Sequence, residues 1–477
     1  MLFNSFGFAL FLPIVFMLYW FIANRHFRIQ NIVLLLASYL FYGLWDYRFL
    51  FLLTFSILLD YYTGIRIHEA ATPAKKKTWL FISISINLGF LFFFKYYNFF
   101  AESFAELLTS AGFHPDIWTL KIILPVGISF YTFHGLSYVI DIYKDRTTPT
   151  KNFVDYALFV SFFPLLVAGP IERATHLLPQ VQAPREFELN KAVDGLRQIL
   201  WGLFKKIVLA DGCAKFANLI FASSDTVNGS TLVIGAVLFA FQIYGDFSGY
   251  SDIALGTARL FGFELLKNFS YPYFSRDIAE FWRRWHISLS SWFKDYVYIP
   301  LGGSRKGRNR AIINTFIIFL LSGFWHGANW TFIVWGGLNA IYFLPLLLSN
   351  RNRSNMEIVA EGRMLPTFRE LFAMIFTFAQ VVFAWIFFRA DNLSHAFRYI
   401  SRMCTTLFHK PDIFPVTTFA IIAIFLVIEW LGRESPYAIA KIGIRIPTPA
   451  RWSFYLLLIL TMIALHEKNQ QFIYFQF

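Results

Sequence analysis

His326 stands in the triplet Trp325-His326-Gly327, inside an almost unbroken apolar stretch at residues 311–348. An ionisable imidazole is costly to bury in hydrocarbon and adds no obvious stability, so this position is a candidate functional site. Neutral imidazole takes a proton from an alcohol or thiol and returns it near neutral pH, which is general acid–base chemistry. Gly323 and Gly327 let backbone or ligand come close to the ring. The competing reading is a structural histidine bonded to a helix carbonyl; the depth of the position favours the functional one. Trp325 and Asn329 border the imidazole and are candidate supports for it.

His286 ends the run Phe281-Trp282-Arg283-Arg284-Trp285. The guanidinium forks of Arg283 and Arg284 suit phosphate or carboxylate oxygens, which they bind bidentately, so the two are candidate donor-binding residues with coenzyme phosphates as natural guests. A rim helix whose arginines meet lipid phosphates explains the same residues equally well. Upstream, residues 244–252 place two carboxylates and two serines in a glycine-broken aromatic segment. Tyr244, Asp246 and Ser248 are candidates there to orient a histidine or bind a polar substrate, against the alternative that they satisfy one another where helices cross. His134 and Asp141 are seven apart and share a face if helical; a hydrogen-bonded helix contact is the favoured account of that histidine. The spacings contain no HExxH, no Cys or His pair and no phosphate loop, so no metal site is expected.

These residues need elements to hold them. With 57% hydrophobic and 15% charged residues, the chain is too apolar for a soluble protein. Its 60 Phe, 23 Tyr and 14 Trp fit lipid-facing helices with interfacial belts. Apolar runs recur at residues 6–22, 32–44, 49–59, 79–94, 371–388, 418–431 and 454–465. About ten or eleven segments in all, some re-entrant, predict an all-α polytopic membrane protein. The first run reads as a retained anchor rather than a cleaved leader. Residues 1–477 read as one polytopic domain, because no Gly-, Ser- or Pro-rich linker divides them.

The net charge of +13 is gathered in short loops, such as Lys75-Lys76-Lys77 and Arg305-Lys306-Gly307-Arg308. Loops of that kind stay on the cytoplasmic side and attract anionic lipid heads, so nucleic acid is not an expected partner. Threading the helices puts both termini outside. Cys213 and Cys404 are too few for a disulfide framework. Residues 187–221, with Lys191, Arg197, Lys205 and Lys206 between apolar positions, predict an interfacial helix or short helix pair. Residues 241–303 are too polar to cross lipid directly and are expected to line a cavity or lie at the cytoplasmic surface.

Several long motifs together resemble the membrane-bound O-acyltransferase family. They are Arg283-Arg284-Trp285-His286-Ile287-Ser288-Leu289-Ser290, residues 244–252, Leu301-Gly302-Gly303-Ser304-Arg305 and Trp325-His326-Gly327. Pro125-Val126-Gly127-Ile128-Ser129-Phe130 and Ala168-Gly169-Pro170-Ile171 are similar to its bacterial branch, which holds alginate and peptidoglycan O-acetyltransferase membrane subunits. The likeness is densest at residues 124–339. It implies a helical fold with a funnel on each side and a thin centre, with His326 at the family's catalytic histidine and His286 at its second signature position.

The resemblance further implies an acetyl donor on the cytoplasmic side, acetyl-CoA or an acyl-carrier thioester, with no bound cofactor. The acetyl group would pass across the bacterial inner membrane to an extracellular or periplasmic polysaccharide. A separate periplasmic partner with a hydrolase-like (SGNH) fold would complete the transfer. Residues 472–477 are similar to the branch's aromatic ending, which makes Tyr474 a candidate acyl relay, since a phenol is a nucleophile once a base activates it. An interfacial aromatic anchor is the plain alternative. Two other classes stand against the enzyme: a transporter, which predicts inverted repeats not evident here, and a non-catalytic scaffold for a glycan-modifying partner.

Overall fold

A computed structural model describes residues 1–24, 26–113, 120, 122–441, 446–466 and 472–473. Among them every regular element is helical. Six helices are long and apolar enough to cross a membrane: Phe27–Asp46, Arg48–Glu69, Pro73–Ser110, Gly229–Leu260, Trp330–Leu348 and Phe368–Arg389. The shorter apolar helices Phe6–Ile22, Val416–Gly432 and Thr448–Ala464 join them. The protein is a multi-pass membrane protein.

Local chemistry explains where these helices begin. Thr72 caps Pro73–Leu91 by accepting from Lys75 N, and Pro73 at the first position has no N–H to waste. Thr367 and Glu370 form a reciprocal capping box at Phe368–Arg389.

The chain forms two compact units, Met1–Leu189 with Ala258–Leu266, and Asn190–Thr257 with Lys267–Phe477. In the first, Arg48–Glu69 packs against Pro73–Leu91 and Ile128–Tyr143. Asp60 accepts from Ser83 Oγ at 2.6 Å and Asn87 Nδ2 at 2.8 Å. Its carboxylate lies so close to Gly135 that a Cβ there would collide with it. Buried Glu172 binds His176 Nδ1 at 2.8 Å and caps Leu266 N at 2.5 Å, which ties the 258–266 segment in.

The second unit is built around Gly229–Leu260, a 32-residue helix whose most apolar window is 89% buried within the protein. Gly245 and Gly249 do not break this helix, contrary to the expectation from sequence. They let a second helical segment approach. A Cβ at Gly249 would stand 2.8 Å from Gly202 O, and one at Gly202 only 2.6 Å from Gly249 O. Gly256 meets Gly195 O in the same way, at 2.4 Å. Small residues at such a crossing bring backbones together where apolar contact alone gives little driving force in lipid.

That second segment is Leu189–Phe204, a π-helical turn Lys205–Ala210, and Asp211–Ala222. It is the helix pair expected over residues 187–221, with one correction. Lys205 and Lys206 are buried and ion-paired, not presented to an interface. The π turn places consecutive lysines on the inner side of the segment. Residues 241–303 were expected to be too polar to cross lipid directly, yet their first third is the second half of the buried Gly229–Leu260 helix, one of the six long apolar helices, and Tyr244, Ser248 and Asp252 on it border a small internal cavity.

Candidate active site

His326 is the last residue of Arg308–His326, and the chain returns after a three-residue turn as Trp330–Leu348. The apolar stretch at 311–348 is therefore a helical hairpin with the histidine at its tip. Gly323 and Gly336 form its seam: a Cβ on Gly323 would lie 2.2 Å from Phe332 O, and one on Gly336 2.4 Å from Phe319 O. Asn329 is spent on the turn. Its Oδ1 accepts from Thr331 N at 3.0 Å and its Nδ2 donates to Asp391 O at 2.8 Å, so it caps the returning helix. The Gly327 N–H makes a long 3.4 Å bond to Gly323 O.

His286 is held quite differently, in the two-residue break between the short helices Ile278–Arg284 and Ile287–Phe293. Its backbone is left-handed, φ +43°, a conformation that costs a non-glycine residue about 1–2 kcal/mol. Asn268 offsets that cost. Its carbonyl accepts Ile287 N at 2.9 Å, and its Oδ1 accepts Ser288 Oγ at 2.6 Å.

The two imidazoles meet, with ring centroids 6.3 Å apart. Aromatic rings enclose them. His326 has Trp325 at 4.9 Å, Trp335 at 5.2 Å and Phe388 at 5.4 Å. His286 has Phe247 edge-on at 4.6 Å and Trp325 at 6.0 Å. Both histidines are buried. Neither ring nitrogen of His286 has a hydrogen-bond partner among the described residues. With water excluded and no anion beside it, burial pushes the His286 imidazolium down to about 3, so the ring is neutral at any physiological pH. A neutral imidazole has one nitrogen free to accept a proton.

The groups expected to orient a histidine share the Gly229–Leu260 helix and are engaged by partners on other helices. Tyr244 OH donates to Glu429 Oε2 at 2.7 Å. Ser248 Oγ accepts from Lys205 Nζ at 3.0 Å, and that ammonium pairs with Asp252 at 2.6 Å. Asp246 pairs with Lys206 at 2.9 Å. These groups and Lys267, which burial pushes down to about 8, border or neighbour a cavity of about 20 Å³, room for a single water. The residue that does reach His286 is Phe247, between them in sequence.

Arg283 and Arg284 are likewise committed within the protein. Arg283 donates to the carbonyls of Asn352 and Asn355 at 2.8 and 2.7 Å, and Arg284 to Glu280 Oε1 at 3.0 Å and Glu357 O at 3.0 Å. They staple the loop after the hairpin. His134 belongs to the first unit, packed 6.0 Å from Phe159. Tyr474 lies outside the described residues. Sequence reasoning missed Asn268, Phe247, Trp335 and Phe388; nothing in an aromatic-rich sequence singles out these rings, and Asn268 acts through its backbone as much as its side chain. Among the described residues no three His, Cys, Asp or Glu side chains cluster as a metal would require.

The chain as a whole has counterparts among known sequences. Residues 144–388, which include both histidines, match the model of the membrane-bound O-acyltransferase family. The chain is 40% identical to a Pseudomonas putida protein named "Probable alginate O-acetylase AlgI", over 83% of this chain and 78% of that one. It is 37% identical to the peptidoglycan O-acetyltransferase of Helicobacter pylori, over 84% of this chain and 80% of the relative. A teichoic acid D-alanyltransferase of Streptococcus thermophilus is 31% identical over 45% of this chain and 55% of its own length. The chain belongs to the membrane-bound O-acyltransferase family and is an acyltransferase.

Proposed function

We propose that this acyltransferase takes acetyl from a cytoplasmic thioester, acetyl-CoA or an acyl-carrier thioester, and passes it across a bacterial inner membrane. There a polysaccharide such as alginate or peptidoglycan is O-acetylated, completed by a separate periplasmic hydrolase-like acetyltransferase. The single observation that supports this reading best is the water-poor aromatic enclosure holding His286 and His326 with their centroids 6.3 Å apart. The names of the relatives supply the acceptor class.

In the proposed step a hydroxyl oxygen attacks the thioester carbonyl while His326 takes the hydroxyl proton. The C–S bond then breaks, and His326 returns the proton to the departing thiolate. An ester and a free thiol result, with no net proton released. His286, neutral and facing the same enclosure, completes the imidazole pair and can hydrogen-bond donor or acceptor once one is present. Low dielectric around the pair strengthens each such bond.

The test is labelled acetyl-CoA given to the purified full-length protein, alongside polymer acetylation in cells carrying His326→Ala. Normal expression with acetyl transfer reduced about 10²–10⁴-fold is expected for loss of a general acid–base group. Unchanged acetylation by His326→Ala would overturn the catalytic assignment and leave a scaffold. Label bound to wild type but absent from Tyr474→Phe would identify that residue as the carrier; label that persists would exclude it.

A further inference from the structure

Asp246 lies in the middle of a buried helix, and its two oxygens have different partners. Oδ1 faces Lys206 Nζ at 2.9 Å, and the same ammonium holds Asp211 Oδ1 at 2.7 Å. Oδ2 accepts the backbone N–H of Ile473 at 2.6 Å, from a residue 227 positions further along the chain. One buried ammonium is thus shared between two carboxylates in the protein interior. A buried carboxylate so placed is costly unless a donor satisfies its remaining oxygen. The chain's own C-terminal segment provides that donor.

The segment is seated by more than one bond. Phe472 packs its ring on Tyr250 at 5.1 Å, one helical turn beyond Asp246. Phe472 is 3% exposed and Ile473 fully buried. The seat also adjoins the imidazole pair. Phe247, whose ring meets His286 at 4.6 Å, is the next residue after Asp246, their Cα atoms about 3.8 Å apart. One turn of the Gly229–Leu260 helix thus carries both the packing wall of the histidine and the anchor of the chain's end.

We propose that Asp246 is a positioning residue that seats residues 472–473 in the core beside the transfer site, making the C-terminal segment a working part of that site rather than a free tail. Lys206, itself held by Asp211, pairs with the Asp246 carboxylate, and the Ile473 amide completes its coordination. The working role rests on the acyl-transfer reading above; the seating does not.

Seating is read from a cysteine at the anchor point. In full-length protein in detergent, Cys404→Ser removes the exposed thiol and leaves buried Cys213; Ile473→Cys then keeps the backbone N–H and reports access by a soluble maleimide. Slow labelling is expected with Asp246 intact. Asp246→Asn should speed it at least about tenfold, corresponding to loss of a charge-assisted hydrogen bond, and Asp246→Glu should restore part of the protection. Rapid labelling with Asp246 intact, or labelling indifferent to Asp246→Asn, overturns the seat.

The working role is read from a chain ending at Gln471. It should stay monodisperse yet lose acetyl transfer, and adding Asp246→Asn should lower transfer no further, because both changes disable one device. Wild-type transfer by the shortened chain, or losses that multiply, would overturn that role. If even the parent protein transfers no acetyl, the acyl-transfer reading fails while the labelling result stands.

Discussion

The enclosure around His286 and His326 and the ion-paired seam along Gly229–Leu260 differ in how they treat polarity, although Phe247 and Asp246 place them one residue apart. The enclosure leaves an ionisable ring among apolar neighbours, and His286 stays neutral there. The seam keeps its groups charged by matching Lys205 with Asp252 and Lys206 with Asp211 and Asp246. A reactive imidazole needs an accepting nitrogen that no carboxylate or ammonium has claimed. A structural crossing needs every charge claimed. The two solutions sit side by side because alternate side chains on one helix turn face different neighbours.

Removing one partner from the seam should have the largest effect. Lys206→Met takes the ammonium away from the buried Asp246 carboxylate and is expected to cost about 3–5 kcal/mol, seen as a lowered unfolding midpoint in detergent. Replacing Lys206, Asp211 and Asp246 together by apolar residues of similar size should recover most of that loss, while acetyl transfer stays low. A triple variant as unstable as the single one would show that the seam is not a self-contained charge balance.

Changes in the enclosure should separate differently. Phe388→Leu removes the ring but keeps an apolar side chain and should cost about 1–2 kcal/mol, yet reduce acetyl transfer disproportionately through loosened packing on His326. Stability and transfer falling in proportion would mean that the ring serves folding alone.

The neutral state of His286 gives a smaller, pH-dependent signature. Its folded pKa of about 3 lies below the ordinary histidine value of 6.5. Between those values the unfolded chain binds a proton that the folded chain does not, so the contribution is present above pH 6.5 and is lost as pH falls below it. The stability difference between wild type and His286→Gln should therefore shift against wild type as pH drops from 7 to 5. A pH-independent difference would contradict a ring held neutral.

The smallest effect belongs to Arg283→Lys. A lysine retains the charge but cannot reach both the Asn352 and Asn355 carbonyls, for an expected loss of about 1 kcal/mol. Apparent KM for acetyl-CoA should be unchanged; a severalfold rise would return Arg283 to the donor.

His326 was legible in the sequence because a titratable ring in an apolar run has few explanations, and the helical membrane architecture followed from composition and run length. Lys205 and Lys206 were misread because an amphipathic pattern looks the same whether its polar face meets water or another polar helix. Gly245 and Gly249 were taken for breaks because glycine lowers helix propensity; their reason is a backbone crossing with residues roughly forty positions away. The partners of Asp246 were illegible for the same cause: one is forty residues upstream and the other at the far end of the chain. Asn268 had no local signature at all.

The glycine seam of the hairpin has a mechanical consequence. Carbonyls seated against Gly323 and Gly336 prevent its two helices from sliding past each other, and at the opposite end the Arg308 guanidinium grips the Leu348 carbonyl. Nineteen residues at 1.5 Å each make a strut of about 28 Å, close to the roughly 30 Å of hydrocarbon in a bilayer. A thinner membrane must then be met by tilting the hairpin as one body, because neither helix can slip along the other.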